Sequence, residues 1–354
     1  MSLLQLLGIE RPIVQAPMAG VQGSALAAAV SQAGGLGSLP CAMLSADAVR
    51  DEVKAIRAHT DRPFNLNFFC HEMPAPDPQR EREWREALHG YYRELGVDES
   101  SIPQGASRTP FGEAAAALLD ELRPPVVSFH FGLPAPELLA RVKACGARVL
   151  SSATTVDEAL WLEAHGADAV IAQGLDAGGH RGMFLTRDPS SQTGTFALVA
   201  QVARAVRVPV IAAGGIADAA GVAAALALGA QGVQVGTAYL LCPEAKTSAV
   251  HRAALASSAA RNTTLTNVFS GRPARAIVNR IVRELGPFCA QAPEFPLAAS
   301  AVAPLRAQAE SMGSGDFSPL WAGQNTSGCR EVPAGEITLA LAAGAADSRA
   351  PNRA

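Results

Sequence analysis

Seven histidines occur in the chain. Two of them stand where a short β-branched run gives way to glycine. His180 lies in Ala177-Gly178-Gly179-His180-Arg181-Gly182, in a loop that begins at Gln173. Glycines on both sides let backbone approach a ligand closely and present the imidazole over it. An imidazole titrates near neutral pH, so it can serve as base or hydrogen-bond donor. Arg181 beside it would either bind an anion or pair with Asp176. His130 closes the run Ser128-Phe129-His130 before Phe131-Gly132, with Ser128 one pleat back on the same side. It is either a pocket group or a satisfied core histidine. His71 is a weaker candidate, and His59, His89, His165 and His251 fall on helical stretches and read as surface. Two more run ends carry Gly214-Gly215 and Gly236-Thr237. Backbone N–H groups at such glycines can cradle phosphate oxygens, and the Thr237 hydroxyl adds a donor. The bland alternative is a pair of tight turns. Asn67 and Gln173 end two other runs. Amides both donate and accept, which suits the edge of a flat heteroaromatic ring faced by the backbone of Ala16, Pro17, Met18 and Ala19. They could instead cap the core. There is no metal-ligand spacing among acids, histidines and cysteines, no serine-nucleophile elbow and no P-loop. The pattern therefore points to a phosphate-bearing cofactor or substrate and not to a metal.

These groups need strands to carry them. From residue 13 to residue 237 the chain alternates short β-branched runs with Ala/Leu-rich helical stretches, eight times. The runs start near residues 13, 37, 64, 126, 148, 169, 209 and 232. Continuous apolar runs are what strands buried on both faces require. Eight such units over about 240 residues predict a (β/α)8 TIM barrel, whose sites lie at the carboxyl ends of the strands. No GxGxxG follows the first run, which argues against an open dinucleotide-binding sheet. The spacing divides the chain into a barrel over 1–242, a mostly helical second lobe over 243–310 and a segment over 311–354 that returns to the barrel. A long irregular insertion spans 70–110, with a charged helix over 80–95. In the second lobe, 276–285 reads as helix. Residues 348–354 read as a tail.

Composition limits the partners. The 354 residues carry a formal charge of −3, so a nucleic-acid partner is not expected. The run 219–243 has no charged residue but contains glycines and two glutamines. It reads as a buried helix followed by a buried strand, not a membrane span. Six scattered cysteines form no CxxC pair, and no signal peptide is evident. The expectation is a cytoplasmic chain without a metal, active on a small molecule and able to form a homo-oligomer.

Four stretches in this order resemble the nitronate monooxygenase family, formerly called 2-nitropropane dioxygenases: QAPMAG at 15–20 with AGGLG at 33–37, SFHFGLP at 128–134, QGLDAGGHRG at 173–182, and QVGT at 234–237. SPLWAGQ at 318–324 also looks like the family, and SFxFGxP resembles its class I. The resemblance implies an FMN enzyme that oxidises alkyl nitronates, such as propionate 3-nitronate, with O2 to a carbonyl compound and nitrite or related nitrogen oxides. In such enzymes the flavin takes one electron and the radical pair reacts with oxygen. The matching positions would place FMN on Met18, Asn67, Gln173, Gly178, Gly215, Gln234, Gly236 and Thr237. Ala16, Pro17, Gly179, Gly214 and Val235 are drawn into the same cofactor site. His180 matches the family's catalytic histidine and His130 a second pocket histidine. The sequence departs from the pattern in two ways. Asp176 stands where relatives have Glu, and no tyrosine follows Tyr239. Phe288, Phe295 or Trp321 would then line the pocket, with Arg306 as carboxylate partner. The rival expectation is an FMN-dependent NAD(P)H oxidoreductase of similar architecture, of the enoyl-acyl-carrier-protein reductase II or quinone reductase type.

Overall fold

A computed structural model describes residues 1–102 and 108–347. The tail reading of 348–354, and part of the insertion, lie outside the described residues. Eleven strands follow in chain order: β1 Ile13–Gln15, β2 Gly37–Pro40, β3 Phe64–Phe69, β4 Val126–His130, β5 Arg148–Ala153, β6 Ala169–Gln173, β7 Gly179–His180, β8 Val210–Ala213, β9 Gly232–Val235, β10 Thr263–Thr266 and β11 Ala274–Ile277. Eight of them form one parallel sheet in the order β1-β9-β8-β6-β5-β4-β3-β2. A parallel bridge between Val14 and Leu36 joins its two edges, so the sheet rolls into the expected barrel with helices outside. Val14, Val126, Leu150, Ile171 and Ile211 share one buried cluster with Leu3 and Leu7 of the first helix, Leu3–Leu7. That helix closes the amino end of the barrel, where the Leu3 N–H donates to Gln231 Oε1 at 3.0 Å.

Toward the other end the barrel interior turns polar. Asn65 Nδ2 donates to Ser38 Oγ and Ser128 Oγ, and Asn67 Nδ2 to Ser128 Oγ at 2.9 Å. Gln15 Nε2 donates to Gln22 Oε1, and Gln22 Oε1 also accepts from the Met18 N–H at 3.1 Å. Buried amides and hydroxyls are tolerable only when paired this way. The layer fixes the strand ends on which the site stands.

Ser45 caps helix Ala46–His59, its side chain accepting from the Ala48 N–H. Helix Ser24–Gln32 has Gly23 at its cap position, and Glu52 accepts the Ser24 N–H at 2.5 Å. The charge-free run resolves into helix Ala219–Ala227 and β9. Among the described residues no helix is long and apolar enough to cross a membrane.

The chain after β9 departs from the helical expectation. Residues 276–285 do not make one helix: β11 takes Ala274–Ile277 and a short helix covers Arg280–Leu285. β10, β11 and β7 form an antiparallel sheet, in which Ala276 and Ile277 pair with β10 and Ala274 and Arg275 also pair with β7. The insertion helix Pro78–Leu95 buries Trp84, Leu88 and Tyr92 against Ala298, Ala301, Val302 and Leu305 of helix Ala298–Ser311. Trp84 Nε1 donates to Ala298 O at 3.2 Å and Tyr92 Oη to Ala301 O at 2.7 Å. Helix Ala334–Asp347 returns to the barrel wall, where Thr338 Oγ1 meets Tyr239 Oη at 2.9 Å.

Candidate active site

One cavity at the carboxyl ends of the strands is lined by Ala16, Pro17, Met18, Asn67, His130, Gln173, Gly178, Gly179, His180, Gly214, Gly215, Gln234, Val235, Gly236 and Thr237. The two histidines and all the cofactor positions expected from sequence therefore border the same space, whereas His71, Phe288, Phe295 and Arg306 are not in its lining. Ser128, Ser152, Arg108, His251, Trp321, Gly323 and Asn325 border it too.

Its glycine side is built by close backbone approach. Gly214 and Gly215 have φ of 123° and 69°, where a side chain is strained. A Cβ on Gly214 would lie 2.5 Å from Thr195 Oγ1, and one on Gly178 would lie 2.5 Å from the Ala322 carbonyl carbon. The SPLWAGQ segment thus lies directly on the GGH loop. Gly323 N–H donates to Thr237 Oγ1 at 3.0 Å, and Asn325 Nδ2 to Gly215 O at 3.0 Å. Asp176 holds the start of helix Thr195–Ala205, accepting from both Thr195 N and Oγ1 at 2.7 Å. Burial pushes its carboxyl up, but the Thr195 bonds outweigh this and hold it below the usual range. Arg181 does not pair with it. The buried guanidinium donates to Gly174 O, Gln173 O and Gln192 Oε1. Arg181 ties off strand-end carbonyls.

The other side holds the histidines. β7 pairs with β11, setting His180 opposite Ala274, so the loop histidine is held in a sheet. Its carbonyl accepts from Gln173 Nε2 at 2.9 Å and from His130 Nε2 at 3.2 Å. Gln173 Oε1 accepts the Gly182 N–H at 2.7 Å, so both ends of that amide position the loop. Because a carbonyl can only accept, His130 carries its proton on Nε2, leaving Nδ1 to accept from the Ser152 hydroxyl. His130 lines the cavity with both nitrogens committed. His180 Nε2 lies 2.8 Å from Ser270 Oγ, so His180 retains a ring nitrogen for a ligand.

Around them stands an aromatic box. Phe295 lies 5.3 Å from His180 and 4.9 Å from His71, ring centroid to centroid, and Trp321 lies 5.3 Å from His180. Phe69 and Phe131 complete it. Phe131 takes φ 71°, a left-handed conformation that costs about 1–2 kcal/mol for a side chain. Arg272 sits on its ring at 3.9 Å. Burial lowers His180 well below 6.5, helped by the charges of Arg108 and Arg272. Burial likewise brings His130 to about 3 and His71 to about 4. At neutral pH all three are uncharged, with two guanidinium groups among them.

Some sequence expectations fail here. His251 is not surface: it is buried on helix Ala249–Ala256 and borders the cavity. His59, His89 and His165 are exposed as expected. Phe288 is 47% exposed, leaving the box to Phe295 and Trp321. Arg306 pairs with Glu310 on its own helix at 2.8 Å, so it is no carboxylate partner. Arg108, Arg272 and Ser270 carry no signal of this kind in the sequence, because they lie in irregular stretches with no recognisable spacing.

A polar, glycine-floored cavity at the carboxyl ends of a (β/α)8 barrel marks an enzyme of small molecules. The family model for nitronate monooxygenase matches residues 1–344, and the chain belongs to that family. It is 44% identical over 344 residues to a nitronate monooxygenase of Paraburkholderia phytofirmans, covering 96% of this chain and 93% of that one. It is 45% identical over 340 residues to one of Pseudomonas aeruginosa, covering 95% and 97%. Among solved structures, nitroalkane oxidase from Streptomyces ansochromogenes superposes with a TM-score of 0.88 at 41% identity, covering 99% of both chains. FabK from Thermotoga maritima superposes with a TM-score of 0.73 at 29% identity, covering 98% and 97%.

Proposed function

We propose that the chain oxidises alkyl nitronates with O2 to a carbonyl compound and nitrite, using FMN. Support for the cofactor comes from the cavity itself. Gln234 Oε1 is buried without a hydrogen-bond partner among the described residues, which suits an acceptor waiting for a ligand N–H or O–H. The backbone at Gly214, Gly215 and Gly236 would hold the phosphate, with Thr237 and Asn325 beside it. Asn67, Met18 and Gly178 would border the ring. Bound FMN supplies the one-electron chemistry that side chains lack.

The observation that carries the substrate reading is a neutral His180 set among cations. A nitronate is an anion before it binds. Arg108 and Arg272 favour an anion there, and His180 can donate a hydrogen bond to a nitro oxygen from a neutral ring. The same charges make His180 a weak base, so pre-formed nitronates outrun neutral nitroalkanes, whose α-proton must be removed. Phe295, Trp321 and Phe69 exclude water around the reacting carbon. His130 and Gln173 act through His180, holding its carbonyl and hence its ring.

The test is oxygen uptake by the purified chain on a nitronate panel, with and without NADH. Nitronate-dependent uptake that ignores NADH supports the reading. The alternative is an NAD(P)H-dependent flavin oxidoreductase; rapid NADH oxidation with no response to nitronates would establish it instead.

A further inference from the structure

Three connections run from the end of β5 to the loop that carries His180. Ser152, inside β5, meets His130 Nδ1, and His130 Nε2 donates to His180 O at 3.2 Å. Thr154, the first residue after β5, accepts from Gln192 Nε2 at 2.9 Å through its hydroxyl, and Gln192 Oε1 accepts from Arg181 Nε at 2.9 Å. The third connection is Glu158, in the first turn of helix Val156–Ala164 and fully buried. Its Oε2 accepts from Thr154 N and Thr154 Oγ1, both at 2.7 Å. Its Oε1 accepts from the N–H groups of Phe184 and Leu185 at 2.6 and 3.2 Å. Glu158, Thr154 and Gln192 are not in the cavity lining, whereas His180 is.

A buried carboxylate costs stability unless its oxygens are satisfied. Four donors on two oxygens do that here, and an amide, with one oxygen, cannot replace it. Burial lowers Arg181 to about 9, Arg275 adds to this, and the charges of Glu158 and Asp176 oppose it. The loop between these anchors packs closely on the first of them: a Cβ on Gly182 would lie 2.8 Å from His130 Cε1 and 3.1 Å from Ser152 Oγ. We propose that Glu158 is a positioning residue that holds segment 180–185 against the end of β5 and so sets the His180 imidazole over the cavity. Its effect reaches the reaction through His180. This rests on the nitronate reading above for the assay substrate only.

The test is a double-mutant cycle on the holoenzyme, with Glu158→Gln placed in wild type and in His180→Asn. Oxygen uptake is measured on the nitronate of 1-nitropropane. A displacement of about 1 Å at a reacting group can cost about a hundredfold. In wild type, Glu158→Gln lowers kcat at least tenfold with KM within threefold; in His180→Asn it lowers kcat less than twofold. Glu158→Asp, which keeps both oxygens, recovers part of kcat. Equal losses in the two backgrounds, or no loss in wild type, overturn the proposal. If Glu158→Gln does not fold, Thr154→Val, which removes the shared hydroxyl, goes through the same cycle. Nitrogen-15 spectra of the imidazole rings read His180 without any substrate, from the signals that His180→Asn removes. These move in Glu158→Gln, while those of the exposed His59, His89 and His165 stay. Unmoved His180 signals refute the positioning role whether or not nitronates are oxidised. Should the wild-type chain oxidise no nitronate, the nitronate reading fails and the spectra still decide about Glu158.

Discussion

Replacing His180 by asparagine tests the centre of the mechanism. The ring donates one hydrogen bond to an anion, and a hydrogen bond to a charged partner contributes about 1.5–3 kcal/mol net. Since about 1.4 kcal/mol is a factor of ten, His180→Asn lowers kcat/KM on nitronates about ten- to hundredfold. On neutral nitroalkanes the variant also loses its proton acceptor, which adds about 10²–10⁴. The imidazole lies on the histidine side of the cavity, away from Gly214, Gly215 and Gly236, so visible flavin absorbance after gel filtration stays. Ser270→Ala removes only the neutral 2.8 Å contact that orients the ring. It contributes about 0.5–1.5 kcal/mol, a loss of about two- to tenfold. Steady-state oxygen uptake on matched nitroalkane and nitronate pairs reads all three numbers. A His180→Asn enzyme within threefold of wild type on nitronates would refute the assigned role, and so would equal losses for the two substrate forms.

Two further outcomes follow from the same geometry. His71, His130, His180 and His251 are all held below 6.5, with burial the first cause in each, so the unfolded chain binds protons that the folded chain refuses. Arg272 faces the first three, with Arg108 beside His71 and His180 and Arg181 beside His130; Arg306 and Glu310 face His251. Stability is therefore complete above pH 6.5 and falls as pH drops toward 4, by at most about 1.4 kcal/mol per pH unit for each histidine. Urea midpoints from pH 7.5 to 5 check this, and a flat line over that range would contradict it. Gly178→Ala places a Cβ 2.5 Å from the Ala322 carbonyl carbon and 2.6 Å from Gly323 N. Overpacking of this kind costs about 1–3 kcal/mol; the thermal midpoint drops and flavin dissociates more readily, while an unshifted midpoint with full flavin content would show that the loop yields freely.

The barrel and its cavity were legible because their signals are local. Apolar runs end in Gly214-Gly215 and Gly236-Thr237, and a strand end followed by glycine shows in the sequence without knowledge of the fold. What holds His180 was not legible. β7 has two residues, and its partner Ala274 lies far along the chain. No periodicity announces so short a strand. The helix expected over 276–285 failed for the same reason: backbone pairing of Ala276 and Ile277 to β10 overrides the local preference of an Ala-Ile-Val run. His251 has the spacing of a surface helix residue, and only the packing of Ala249–Ala256 against the cavity buries it. Arg306 and Arg108 look alike in sequence. They differ because Glu310 sits one turn beyond Arg306, whereas Arg108 finds no acid among the described residues to hydrogen-bond.

The insertion helix has a consequence for how the chain is made. Trp84 and Tyr92 find their acceptors on Ala298 and Ala301, more than 200 residues later. During synthesis the first half of the barrel emerges with a helix whose apolar face has nothing to cover it. It stays uncovered until nearly the whole chain has been translated. Closing so long a loop is slow, and an uncovered aromatic face invites association with other chains. The segment that brings Arg108 to the cavity is therefore among the last to lock. Grafting the 70–110 segment alone between relatives would fail unless helix Ala298–Ser311 travels with it, because Trp84 and Tyr92 would lose their acceptors.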